Sequence, residues 1–373
     1  MNFKAALVTL TLGLAAAQPA LAGYDKPYIG EIKKYKAKYE DTFVRLARDN
    51  SLGYVELRAA NPEADPWIPG EGRELILPSR HILPDAPREG VVINLPEMRM
   101  FAYVNGDEAP ASFSIGIGRE GLETPIGTTT VARKMEGPIW RPTPRMREED
   151  PTLKESVGPG PDNPMGTHAL YLGWSQYAIH GTDKPFGIGR RVSSGCIRLY
   201  PEDIITLYNM IPVGTKVTVV NQPLKLAWIG DELYLEAHTD IAQAIQMEET
   251  GQITRQKLTE ADLKQITKAA GEYQDRVDWA AVRNAIRDRN GYPVMIARRP
   301  SSGVSEAKPH EEPKAEPVPE EEIKAVEEHA DKEQEPEQVQ EPAAQEEPAQ
   351  TDGDSEEKEA AYNDGGKNST VNP

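Results

Sequence analysis

One cysteine, Cys196, occurs in 373 residues, and it follows His180, one of six histidines, by sixteen positions. The segment between them, 181–195, is rich in glycine and arginine and carries no apolar periodicity. A thiol is nucleophilic as thiolate, so it needs an adjacent base or positive surroundings. His180 is the base candidate, and Arg190, Arg191 and Arg198 offer positive potential expected to lower the thiol pKa. The turn at Gly195 frees backbone N–H groups near Cys196, the donors an oxyanion hole requires. Arg198 shares a face with Cys196 if the chain there is extended, and is then placed to hold a substrate carboxylate. Histidine before cysteine excludes a papain-like order. Metal ligation is not expected from one cysteine and scattered histidines, and no cofactor is implied. The alternative for a lone cysteine is a small buried hydrophobe, but Ser193, Ser194, Gly195 and Arg198 are not apolar neighbours.

The first 22 residues read as a secretory signal: Lys4, a mostly apolar run over 5–17, and Ala20-Leu21-Ala22 as a small-x-small cleavage site. The alternative is an uncleaved anchor. The run is too short for a spanning helix, and no later segment reaches the required ~20 apolar residues. With one cysteine, no internal disulfide forms, and in an oxidising compartment such a thiol is oxidised unless buried or used. The net charge of −18 is concentrated: residues 301–373 hold 22 Asp or Glu against six Lys and no Arg. The first 300 residues are nearly neutral and carry no global field for nucleic acid. The stretch 300–373, rich in Pro, Glu, Gln and Ala, is expected to be a disordered acidic tail.

The positioning elements follow in chain order. Over 35–79 a strand, two short helices and a strand are expected, with Asp41-Thr42 capping the first helix and Leu75-Ile76-Leu77 in the closing strand. A proline-punctuated linker follows at 82–87. Residues 88–222 read as a mainly β unit, a sandwich or barrel with one clear helix. Its strands lie around Val91–Ile93, Met100–Tyr103, a strictly alternating Phe113, Ile115, Ile117, then Thr128–Ala132, Ala169–Leu172, Tyr177–Ile179 and Val217–Val220. Its helix begins at Pro201, with Glu202 and Asp203 in the first turn. Residues 138–164, almost all Pro, Gly and charge, form a long loop that is either a wall of the site or a disordered insertion. Residues 223–299 read as an α+β appendage with a Gly230-Asp231 hairpin and helices capped at Thr259 and Asp278, packing on the preceding unit.

The motif His180-Gly181-Thr182 followed by Ser193-Ser194-Gly195-Cys196-Ile197-Arg198 resembles the signature of YkuD-type L,D-transpeptidases, within their periplasmic ErfK/YbiS-like branch. The chain departs from that signature at Ser194, where the family usually has histidine. The pieces Asp41-Thr42, Asn61-Pro62 and Leu75-Ile76-Leu77-Pro78 make 35–79 similar to a LysM module, departing from it at Glu40, usually glycine. The resemblance covers about residues 1–299. It implies a periplasmic cell-wall enzyme whose partners are peptidoglycan glycan strands and stem peptides. Cys196 would be the nucleophile and His180 the general base and acid, with the Gly181 carbonyl orienting the imidazole. Gly195 and Ser194 would lie at the oxyanion and substrate site, with Arg198 binding substrate. It also implies inhibition by carbapenems. The acceptor stays open: a stem peptide giving a 3-3 cross-link, an outer-membrane lipoprotein or barrel protein, a free D-amino acid, or water. A hydrolase on the same site and a non-catalytic wall-binding protein are the competing expectations.

Overall fold

In the computed structural model, residues 24–104 and 106–300 are described. The expected signal segment, Asn105 and the acidic tail from 301 lie outside them. None of the described helices is long and apolar enough to cross a membrane.

The N-terminal part opens with β1 (Tyr28–Ile29) and β2 (Ile32–Lys36), then α1 (Phe43–Asp49), α2 (Tyr54–Ala60), β3 (Glu74–Pro78) and β4 (His81–Ile82). β2 pairs with β3 antiparallel, so strand, helix, helix and strand close on themselves. Thr42 caps α1 by accepting from Arg45 N, while Asp41 accepts from Lys38 N and Tyr35 Oη in the turn before it. Asn61 ties α2 to β3: its Nδ2 donates to Leu57 O and Ile76 O, and its Oδ1 accepts from Ile76 N.

The central part is a curled mixed sheet. Its strands are β5 (Gly90–Asn94), β6 (Arg99–Tyr103), β7 (Ala111–Ser114), β9 (Gly127–Glu136), β10 (His168–Leu172), β11 (Ala178–His180), β13 (Ile197–Arg198) and β14 (Lys216–Val220), in the order β13-β11-β10-β9-β14-β5-β6-β7. The β11–β13 and β14–β5 pairs are parallel and the others antiparallel. β8 (Ile117–Gly118) pairs separately with β12 (Arg191–Ser193). The expected single alternating strand over Phe113, Ile115 and Ile117 is therefore broken. Ile115 N bonds Met98 O and Gly116 pairs with Arg198, which turns the chain from the sheet edge toward β13. Helix α4 (Pro201–Met210) lays fully buried Ile204 and Leu207 on the sheet, each such side chain contributing about 1.5–3 kcal/mol. A second helix, α3 (Pro144–Glu149), lies inside the 138–164 segment, capped by Thr143. The central part thus has one helix more than its sequence pattern suggests.

The C-terminal part holds β15 (Leu224–Ile229), β16 (Glu232–Ala237), α5 (Ile241–Thr250), α6 (Glu260–Ala270), α7 (Trp279–Asp288) and β17 (Val294–Arg298). Thr259 and Asp278 cap α6 and α7. β15, β16 and β17 form one sheet over a separate core with α6 and α7. α5 does not join that core: Ala244 and Met247 belong to the apolar core shared by the N-terminal and central parts.

A buried chain of charged and polar groups joins the three parts. Arg99 Nη2 meets Glu56 Oε2 at 2.7 Å, His81 Nδ1 lies 3.6 Å from Glu56 and 3.3 Å from Glu97, and Lys225 Nζ bonds Glu97 (2.7 Å) and Glu236 (2.8 Å). His238 Nε2 closes the chain on Glu236 at 2.7 Å. Burial alone would raise the Glu97 carboxyl, yet Lys225 and His81 hold it well below the usual carboxylate range. Removing one member of such a pair leaves an uncompensated buried charge. Lys225→Met, which strands Glu97 and Glu236 together, is expected to destabilise the fold by about 3–5 kcal/mol in urea unfolding. A loss below about 1 kcal/mol, the range of exposed pairs, would show that the network does not hold the parts together.

Candidate active site

Ile179 and Ile197 face each other in the β11–β13 pair and both are fully buried in the core. Strand alternation therefore turns Ala178 and His180, with Cys196 and Arg198, to the opposite face. His180 and Arg198 are in register, and Cys196 lies one residue before β13, diagonal to His180. His180 is buried, and its Nδ1 lies 2.6 Å from Gly181 O. A carbonyl only accepts, so Nδ1 carries the hydrogen and Nε2 keeps a free lone pair. Burial, helped by Arg198, pushes the imidazole down to about 4, against the opposing Gly181 and Met165 carbonyls. His180 is neutral at neutral pH.

The thiol of Cys196 is half-buried and donates to Gln176 O at 3.6 Å. Burial pushes it up, while the Ala178 N–H and Arg198 pull it down. The expectation of a thiol pKa lowered by three arginines fails, because burial outweighs Arg198. Arg190 is also spoken for, paired with Glu248 at 2.5 Å.

The turn before Cys196 is built by two hydroxyls. Thr124 Oγ1 accepts from Gly118 N (3.2 Å) and donates to Gly195 O (2.9 Å). Ser193 Oγ accepts from Gly195 N (3.1 Å) and donates to Cys196 O. Gly195 has φ +104°, and a Cβ there would lie 2.8 Å from the Tyr177 ring, so only glycine fits. Its N–H, expected as an oxyanion donor, is engaged by Ser193. The Cys196 N–H makes no hydrogen bond among the described residues. Ser194 is half-exposed, and its hydroxyl likewise makes none among them.

Arg198 lines a cavity of about 450 Å³ with Trp140, Met146, Leu153, Phe186 and Val192. Its buried Nε has no partner, burial lowers its pKa, and Asp183 is the leading opposing charge. The 138–164 segment forms one wall of this cavity. Asn163, fully buried, staples that segment by donating to Pro138 O (2.6 Å), Val157 O (3.3 Å) and Gly158 O (3.0 Å). Trp140 and Val157 pair across it, and Arg119–Glu149 ties α3 to the loop after β8.

His180, Gly181, Gly195, Cys196 and Arg198 are thus brought to one place. Thr124, Gln176 and Asn163 belong beside them and carry no sequence signal of their own. Ser193 lies inside the motif, and its short polar side chain two residues before Gly195 is a usable turn signal. A second cluster of metal-ligand types, His81, Glu97 and Glu236, has its donor atoms within 4.8 Å of one another. The Lys225 ammonium bonds both carboxylates there and takes the place of a cation.

A family profile described as the L,D-transpeptidase catalytic domain, YkuD, matches residues 88–219. The chain is 41% identical over 257 residues to the "Probable L,D-transpeptidase YbiS" of Escherichia coli K12, covering 67% of this chain and 82% of that protein. It is 40% identical over 251 residues to the "Probable L,D-transpeptidase ErfK/SrfK" of Salmonella typhimurium, covering 66% and 79%. A solved L,D-transpeptidase from Mycobacterium smegmatis is similar at 22% identity and a TM-score of 0.29, over 36% of this chain and 58% of that one. With two-fifths identity across four-fifths of YbiS, and the motif residues gathered on one sheet face, the chain belongs to the YkuD family of L,D-transpeptidases.

Proposed function

We propose that this chain is a cysteine L,D-transpeptidase that acts on peptidoglycan tetrapeptide stems in the periplasm. The observation that most supports it is the shared face of His180, Cys196 and Arg198 beside an unpaired Cys196 N–H. Cys196 Sγ attacks the carbonyl carbon at the L-centre of the third stem residue as His180 Nε2 takes the thiol proton. The oxyanion is held by the Cys196 N–H. The C–N bond breaks, D-Ala takes the proton from His180, and a thioester remains. An acceptor amine attacks the thioester, gives its proton to His180, and the thiol is restored. The acceptor is a second stem peptide or an amine of an outer-membrane protein. Arg198 binds a substrate carboxylate, for which its guanidinium, with Nε unpartnered, in a mainly apolar cavity is suited. The Gly181 carbonyl fixes the tautomer. The N-terminal module is assigned to the glycan strand, with Tyr39, Trp67 and Ile68 as its exposed apolar surface.

Cys196→Ala is expected to abolish D-Ala release from tetrapeptide stems and the covalent mass gain on incubation with a carbapenem; retained release sinks the reading. Arg198→Gln is expected to lower kcat/KM by about one to two orders of magnitude, the loss of a charged hydrogen bond worth about 1.5–3 kcal/mol. The pH profile follows from the depressed imidazole. His180 accepts the thiol proton only while neutral, so kcat/KM falls as pH drops through about 4. A fall setting in at 6.5, the ordinary histidine value, would contradict the buried, neutral base.

A further inference from the structure

The segment between base and nucleophile touches both flanking parts of the chain at Ile188, Gly189 and Arg190. From the N-terminal side, α2 begins at Gly53, which has no side chain to cap the helix. Its free N–H groups donate instead into the catalytic segment: Tyr54 N to Ile188 O (3.4 Å) and Val55 N to Gly189 O (3.2 Å). The approach needs glycine on both sides, since a Cβ on Gly189, at φ +72°, would lie 2.2 Å from Gly53 Cα. From the C-terminal side, Glu248 of α5 pairs with Arg190 Nη1 at 2.5 Å, with side chains only 16% and 25% exposed. The Arg190 guanidinium also lies 3.7 Å from the centroid of the Tyr54 ring. Its own backbone carbonyl accepts from Ile117 N, which starts the β8–β12 pairing. β12 ends at Ser193, whose hydroxyl shapes the Gly195–Cys196 turn.

We propose that Arg190, gripped between Tyr54 and Glu248, is a positioning residue that sets the Cys196 turn against His180, so that acyl transfer depends on side chains from both flanking modules. The reaction named here rests on the function proposed above; the geometry does not. Held this way, the loop keeps its nucleophile in register without any contact between Arg190 and the thiol. A misplacement of about 1 Å at a reacting atom costs on the order of 100-fold in rate. A pair that acts through the loop therefore shows in kcat, whereas a pair that reads substrate shows in KM.

The test uses the full chain with Glu248→Gln, which is isosteric, and Tyr54→Leu, which removes only the ring under the guanidinium. D-Ala release from tetrapeptide stems and alkylation of Cys196 by iodoacetamide are both measured, with circular dichroism to confirm folding. Each variant is expected to lower kcat on the order of tenfold or more with KM unchanged, and to change the alkylation rate several-fold by loosening the turn. Arg190→Lys, which keeps the charge but not the planar fork, is expected to recover only part of what Arg190→Met loses. Unchanged kcat and alkylation in both variants overturns the proposal, as does a rise in KM at constant kcat. If the wild type releases no D-Ala, the functional reading fails and alkylation alone decides: altered rates uphold the positioning role and unaltered rates end it. Should Tyr54→Leu not fold, Glu248→Gln decides by itself.

Discussion

Two parallel strands laid side by side force the geometry of this site. An antiparallel pair can close with a two-residue turn, but a parallel pair must carry the chain back along its own length. β11 ends on His180 and β13 begins just after Cys196, so the return path is residues 181–196. That return is not the usual crossover helix. Apart from a 3-10 turn at Pro185–Gly187 and the short strand β12 it is irregular, and much of its polar backbone is satisfied from outside. Its partners are drawn from all over the chain: Ile115 and Ile117 from the sheet edge, Tyr54 and Val55 from α2, Thr124 from the loop after β8. His180 and Cys196 are diagonal because the register sets Arg198 opposite His180, and the rest of the molecule supplies many of the loop's hydrogen bonds.

This explains why the three parts are not independent beads. The apolar core runs without a break from Phe43 and Leu57 of the N-terminal helices into Val91, Ile179 and Leu207, and takes in Met247 of α5. The buried charges follow the same seams, with Glu56, Arg99 and Lys225 each contributed by a different part. Glu56 serves twice, accepting from Gly53 N at the start of α2 and pairing with Arg99. A change there disturbs both the helix that bonds residues 188–189 and the charge seam beneath it. Exposed links such as Arg48–Glu202 add little by comparison, since solvent screens them.

What was legible in the sequence was local. The helix starts at Thr42, Pro201, Thr259 and Asp278 each carry a cap or first-turn signal, and all open helices. The His180–Cys196 motif was legible through residue rarity and glycine placement. What failed was non-local. Phe113, Ile115 and Ile117 alternate like one strand, but Gly116 is claimed by Arg198, more than 80 positions away in sequence. Asn163 carries no signal within its polar loop, and only the fold shows it buried among three carbonyls. The arginines read as one positive field; in space Arg190 is neutralised by Glu248, and Arg198 alone faces the thiol. Charge composition carries sign but not direction.

The raised thiol and depressed imidazole change how the site is understood. A cysteine held as a ready thiolate is fast toward substrate and equally fast toward oxidants. Here burial favours both neutral forms, with only Arg198 and the Ala178 N–H favouring the anion. The resting pair is therefore thiol and imidazole, and in the proposed reaction the proton moves only when a substrate carbonyl is in place. In the proposed reaction the oxyanion would gain the Cys196 N–H, and the imidazolium would form beside it among buried groups, where attraction between opposite charges is strong. In the oxidising compartment proposed for this chain, such an arrangement protects a lone cysteine. Burial keeps the thiol neutral at rest, and in the proposed reaction the substrate supplies the compensating charge.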